Sequence, residues 1–483
     1  MLRGFLLFAI VCLFHPIALI ADEPVDTSGE DPWLPIEEET RSSQTELMQV
    51  LNRVQVSNRG KPATPIKDAG RSVQEPPADA DPFVDDAQVL PQQVSQADWV
   101  VEHSQSNQNG VGRQIEFASA DGNWGVTIFG ALAGEMIYAD ERPIIPSGIV
   151  LISPDFGGDR STFDVHAKQS RLGAALRGPD IWGFQSGGLL LTYFYGEDFL
   201  DDEIGFFITR AYGELRNHDW RFVFGIDADV INPLNPGTLD FNAGGGAGNL
   251  GYFREQLRVE RFVHLHEETQ VTAQVALSNP VQTSFDNSVQ RLVEDNGGPN
   301  LEGRVALGLG CLMNVHGEIK RPFEVGVSGL TGEVRRAGRR GPERDVWAIG
   351  ADLRLALTNG IGIQGELFHG EAVGNYLGGI TQIVNPFTFD AVRTTGGWGE
   401  VYVYWADDLH SHFGYGVDHP DEDDLSPGLP SRNAFAFANL IFDVTSNFEV
   451  GFEIGRWDTE YVRNSRFDDN DAMVYRTRVQ LKF

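Results

Sequence analysis

The 483-residue chain has only two cysteines, Cys12 and Cys311. Cys12 falls in an apolar leader, so the remaining chain keeps one thiol and no internal disulfide. No Cys/His cluster stands at metal-ligand spacing, and no metal or cofactor is expected. After the leader no stretch of eighteen apolar residues occurs, so no second membrane helix is expected. Mean hydropathy is −0.23, which excludes a polytopic helical membrane protein. Positive charge is scarce. Formal net charge is −32, which argues against nucleic acid as a partner. The catalytic repertoire is thin as well. His410, Ser411 and His412 share one short stretch, with no separate nucleophile and base, so no enzyme is expected.

What is present falls into three parts. Arg3 precedes the run FLLFAIVCLFHPIALI, followed by Ala21 and an acidic stretch. This layout predicts a secretory signal peptide over 1–21. Residues 22–110 carry 17 Asp/Glu against 6 Lys/Arg, with many Pro, Ser and Gln. Such a segment cannot offset its ordering entropy, and a largely disordered, acidic periplasmic segment is expected. Within it Leu47, Val50, Leu51 and Val54 line one helix face, predicting a short helix over 44–56. That helix is either a fraying element of a tail or a small coiled-coil stalk.

From 111 to 483 the pattern has a period of two. Val401, Val403 and Trp405 oppose Glu400, Tyr402 and Tyr404; Ile361, Ile363 and Leu367 oppose Gln364 and Glu366. Phe448, Val450, Phe452 and Ile454 oppose Glu449 and Glu453, and Val271, Ala273, Val275 and Leu277 oppose Gln270, Thr272 and Gln274. Each is a strand between two different solvents. Short connections (217–219, 266–268, 358–360, 445–447) alternate with long ones (139–160, 231–251, 280–300, 331–344, 370–396, 418–431, 459–471). Together these predict an all-β fold: a transmembrane antiparallel β-barrel of about 16 strands in the outer membrane of a double-membraned bacterium. Hydrocarbon imposes closure, because every backbone N–H and C=O there needs a partner. The closing stretch MVYRTRVQLKF puts Tyr475, Val479, Leu481 and Phe483 outward, toward lipid, and Arg476, Arg478 and Lys482 inward. Its terminal aromatic resembles the signal read by the barrel-assembly machinery.

Several segments, taken together, resemble the DcaP-like family of trimeric porins that take up dicarboxylic acids. These are QSRLG at 169–173, Arg210-Ala211-Tyr212, the strand after Gly225 that ends in Asn232-Pro233, Leu239-Asp240-Phe241, and Arg254 with Arg258. The phosphate-selective porins are a second resemblance with the same architecture. Membership implies a sixteen-stranded homotrimer passing small hydrophilic solutes, including small anions such as dicarboxylates. The segment 231–250 is the third long loop, rich in Gly and Asn. It either folds into the lumen and narrows it or stays on the surface. Arg254, Gln256, Arg258 and Glu260 share the inward parity beside it, with Asp227 and Asp229 on the neighbouring strand. The candidate pore-lining residues are therefore Arg171, Arg210, Asp227, Asp229, Arg254, Arg258, Arg476 and Arg478. The arginines and aspartates can both hold the wall and sort solutes.

Two further stretches read as exterior. GEVRRAGRRGPERD at 332–345 predicts a solvated outer loop. DHPDEDD at 418–424 lacks the spacing of an EF-hand loop. Two functions stay open: a passive diffusion channel, and a structural or adhesive barrel that ties the envelope together through its acidic N-terminal segment.

Overall fold

The first and last long strands of the barrel pair with each other. In the computed structural model, Ala131 to Ala139 run antiparallel to Lys482 to Val474. The structure describes residues 115–119, 122–155, 157, 160–195, 204–231, 233–281, 292–315, 318–338, 341–463 and 468–483. The expected signal peptide and the helix over 44–56 lie outside the described residues.

Sixteen staves form the ring: β1 (Gly125–Ala139), β2 (Thr162–His166 with Arg171–Ile181), β3 (Phe184–Tyr193), β4 (Phe207–Arg216), β5 (Trp220–Ala228), β6 (Phe253–His266), β7 (Thr269–Ser278), β8 (Val293–Asp295 with Asn300–Leu309), β9 (Phe323–Arg336), β10 (Glu343–Ala356), β11 (Ile361–Glu371), β12 (Arg393–Ala406), β13 (Leu409–Pro420), β14 (Pro430–Thr445), β15 (Phe448–Tyr461) and β16 (Asn470–Lys482). Each pairs antiparallel with its sequence neighbours and β16 returns to β1, so the sheet has no free edge. The expected sixteen-stranded barrel is what the chain forms. A short extra strand, Ile115–Ala118, continues the seam by pairing with Ile128 to Gly125.

The period-two pattern decides the two surfaces. Leu132, Phe224, Leu257, Val327, Leu367 and Tyr475 are exposed on the outer face. Glu135, Arg258, Glu302, Glu400, Glu453 and Arg476, on the opposite parity, are buried inside. Exposed tryptophans gather at the short-turn end: Trp182 and Trp220 at turns, Trp124 before β1 and Trp405 at the end of β12.

The long connections are shorter than the sequence suggests at several places. The expected loop over 331–344 shrinks to 337–342, because β9 and β10 extend upward and pair through Arg335 and Glu343. Inward Val334 and Val346 are buried there, so the arginine-rich run is mostly strand rather than loop. One short-turn connection is unexpectedly long: 310–322 carries a small hairpin of Met313–Val315 with Glu318–Lys320.

Candidate functional site: a threaded loop in the barrel

The third long loop does not stay on the surface. It leaves β5 and crosses the interior, meeting one wall strand after another. The backbone N–H of Val230 donates to Glu302 on β8 (2.8 Å), that of Leu234 to Glu366 on β11 (2.6 Å), and that of Gly237 to Glu400 on β12 (2.6 Å). Leu239 N–H donates to Glu453 on β15 (2.7 Å), where the Thr238 hydroxyl also donates (2.8 Å). Asp240 pairs with Arg476 on β16, which also pairs with Glu135 on β1.

The physical need is plain. An irregular segment inside a barrel brings unpaired backbone donors with it. Carboxylates on the inward parity accept those donors in charge-assisted bonds. Gly237 lies against the His412 ring and Gly248, at φ +110°, against the Gly397 carbonyl; neither position has room for a side chain. The glycine-rich composition of the loop is thus a packing requirement.

Two other long connections join it. In 140–161 the Val150 carbonyl accepts from Asn433 (2.7 Å), and the N–H of Ile152 donates to Thr459 (3.0 Å). In 372–392, Leu377 and Tyr376 accept from the third-loop N–H groups of Gly246 (2.9 Å) and Gly251 (2.7 Å). Ile145, Val150, Tyr195, Tyr252, Leu377 and Ile380 close into one buried apolar cluster on the long-loop side.

The expected site residues divide into separate groups. Arg210, Asp227 and Arg258 come together: Arg210 Nε is 2.8 Å from Asp227 Oδ1, and Arg258 pairs with the same carboxylate and, at 3.0 Å, with Glu260. Arg221 joins them through Glu214 (2.5 Å) and Glu260 (3.2 Å). Asp229 and Arg254 form a second unit. Arg254 donates to both Asp229 oxygens (2.5 and 3.2 Å) and to the carbonyls of Asn279 and Asn375 (2.9 Å each). Its side chain is 0% exposed, covered by the Tyr376 ring. Arg476 is the third-loop anchor already described. Arg478 pairs with Glu449 (3.1 Å) and accompanies Lys482, which reaches Glu449 (2.8 Å) and Asp443 (3.4 Å). Arg171 stands apart, half-buried, donating to Gln480 (3.3 Å).

Sequence reasoning missed the loop anchors. Glu366, Glu400 and Glu453 were legible as inward-facing, but nothing in a period-two pattern says that a loop remote in sequence will seek them. It also missed a second paired network on β8 to β10, where Arg304 meets Asp352 (2.5 Å) and Glu324 (2.9 Å).

No family model matches the chain, and no curated protein matches it. Among solved structures, the outer membrane channel DcaP of Acinetobacter baumannii superimposes with a TM-score of 0.58 at 17% identity, over 76% of this chain and 99% of that one. An anion-selective porin from Comamonas acidovorans reaches 0.48 at 12% identity, over 74% and 100%. OmpF of Salmonella typhi reaches 0.48 at 12%, over 77% and 100%. Fold and site together define a porin-like barrel: sixteen strands, a polar interior and a third loop threaded through it.

Proposed function

We propose that the protein is an outer-membrane porin, a passive diffusion channel for small hydrophilic solutes. The observation that carries this reading is the third loop threaded through a closed barrel, which narrows a polar lumen instead of capping it from outside. The outer face supports it, since apolar side chains exposed all round the ring match hydrocarbon and would be a liability in water. The tryptophans at the short-turn end fit an interfacial girdle.

The short turns then face the periplasm, and the long loops face the exterior. The resemblance to trimeric porins supports a homotrimer. Phe483 on the outward parity supports handling by the barrel-assembly machinery. Arg210, Asp227 and Arg258, with Arg171 and Arg478, are the charged wall that a solute would sense, while Arg254 and Asp229 act as a structural lock and Arg476 as the anchor of the third loop. Their pairing supports a mild ion preference, with small anions such as dicarboxylates accepted rather than strongly selected.

Purified protein in planar bilayers tests the reading. Stepwise conductance increments are expected on insertion. Protein that inserts yet passes no current at any voltage would make it a structural barrel instead.

A further inference from the structure

Two histidines meet at the short-turn end, outside the charged wall. His218 lies in the turn between β4 and β5, and His264 lies near the end of β6. Their ring centroids are 4.0 Å apart. Asp219 follows, with His218 Nδ1 2.9 Å from its Oδ1. One donor atom from each of the three lies within 4.8 Å of the other two.

The backbone beneath them is fixed. The Asn217 side-chain oxygen accepts from the N–H groups of Asp219 (2.9 Å) and Trp220 (2.8 Å). Phe262 N–H donates to the Asp219 carbonyl (2.8 Å), clamping the turn to β6. His264 Nε2 is 3.1 Å from the His218 carbonyl, which sets that ring beside the turn. The His218 side chain is 76% exposed, so an ion can arrive from water without displacing the wall.

The donor set has a chemical preference. Two imidazole nitrogens and one carboxylate suit zinc, nickel and copper, whereas calcium and magnesium favour oxygen throughout. Metal–nitrogen bonds of about 2.0–2.1 Å place donors around one ion roughly 3–3.5 Å apart. Closing from 4.8 Å takes small rotations of side chains that face water. Asp219 is a ready ligand. Its carboxylate oxygens lie 2.9 Å from His218 Nδ1 and 3.1 Å from the Arg261 guanidinium. Arg261 takes the Oδ2 atom while its guanidinium lies over Trp220, so Oδ1 is the oxygen presented to the rings, and an ion would replace its contact with His218 Nδ1.

A rival cluster carries less. His410 and His412 approach to 3.3 Å inside the barrel, but Tyr404 stacks on His410 and Glu400 engages His412, so both rings are committed to the wall.

We propose that His218, His264 and Asp219 bind a divalent transition ion of the zinc class, with water completing its shell. The ion ties the β4–β5 turn to β6 and stabilises that rim. The site is independent of the channel reading.

The test uses untagged, folded protein in detergent. Zinc chloride is titrated by calorimetry, and copper(II) is added for electron paramagnetic resonance. One ion per chain is expected, with nitrogen ligands in the copper spectrum. His218→Ala and His264→Ala should each weaken binding by at least about tenfold. A His410→Ala/His412→Ala variant should bind like the parent. Binding should fall in acid, because only neutral imidazole ligates. Heat-modifiable gel migration establishes that each variant is folded. The proposal is overturned by no saturable zinc binding in the parent, by parental affinity in a His218→Ala/His264→Ala double variant, or by a copper spectrum with oxygen ligands alone.

Discussion

The Arg254 guanidinium carbon stands 3.6 Å from the centre of the Tyr376 ring, and this contact joins the foot of the third loop to the loop between β11 and β12. Arg254 holds Asp229 on one side and the Asn375 carbonyl on the other. Tyr376 in turn accepts from Asn300 (2.9 Å) and donates to Glu302 (3.2 Å), the same carboxylate that takes the Val230 N–H. The loop it belongs to is strained. Ala372, Leu377, Ile380 and Thr381 all have φ between +52° and +65°, a region costly for residues with a side chain. At roughly 1–3 kcal/mol each, such residues persist only where packing holds them.

Arg254→Gln should therefore act on stability first. It removes the cation from the ring and leaves Asp229 buried without its partner, a loss of about 3–5 kcal/mol for a broken buried pair. The temperature at which the folded gel form disappears should drop clearly. Adding Asp229→Asn should recover part of the loss in a double-mutant cycle. An unchanged transition temperature in Arg254→Gln would mean the pair carries no weight.

The third-loop anchors give the second expectation. Glu400 and Glu453 each accept a backbone N–H of the loop, and charge-assisted bonds of this kind are worth about 1.5–3 kcal/mol. Glu400→Ala/Glu453→Ala should leave the sixteen strands paired but release the loop from two wall strands. Single-channel current should become larger and noisier. Parental current in this variant would show that the loop does not limit flow.

Phe483 and Gly130 exchange two backbone bonds at the seam (2.8 and 3.0 Å). A side chain at Gly130 would meet the Phe483 ring 2.8 Å away, so the outward aromatic uses the space that glycine leaves. Phe483→Ala should lower the amount of inserted protein without changing single-channel current. Gly130→Val should impair closure more severely, since it also meets the Arg171 carbonyl. Normal yield with altered current in Phe483→Ala would place the residue in the conducting path.

These cases show which parts of the molecule were legible beforehand. The strand faces were, because a residue's parity fixes its solvent: Arg476 and Glu453 could be assigned inward from their neighbours alone. Strand ends were not. Alternation weakens in the run containing Arg335 and Arg344, where cross-strand pairing rather than hydrophobicity extends β9 and β10. The charge cluster around Asp227 was partly readable, since Arg258 lies on the adjacent strand. The meeting of Leu239 with Glu453, or of Arg254 with Asn375, depends on where loops land after the barrel closes, and no local pattern encodes that.

The N-terminal segment allows a simple experiment. Residues 22–110 show no alternating pattern, and the seam strand begins at Ile115. Deleting 22–110 behind an intact leader should still give heat-modifiable, folded protein. Failure to reach that form would make the segment part of the barrel's assembly.

The proposed ion preference rests on the cluster around Asp227. Three arginines, Arg210, Arg221 and Arg258, face three carboxylates, Glu214, Asp227 and Glu260, so the group is nearly neutral as a whole. Each contact is worth roughly 1–4 kcal/mol between water-like and surface-like dielectrics, enough to hold the wall but not to cancel its field at every point. Mild selectivity is the expected outcome for the proposed channel. Arg210→Gln/Arg258→Gln leaves three carboxylates against one arginine, and the reversal potential in a salt gradient should move toward cations. Asp227→Asn removes one negative charge and should move it the other way. Both shifts should shrink as salt rises, because the Debye length falls from about 10 Å at 0.1 M to about 3 Å at 1 M. A reversal potential unmoved by the arginine double variant at low salt would remove this cluster from the ion path and leave the third-loop carboxylates as the charges that permeant ions sense.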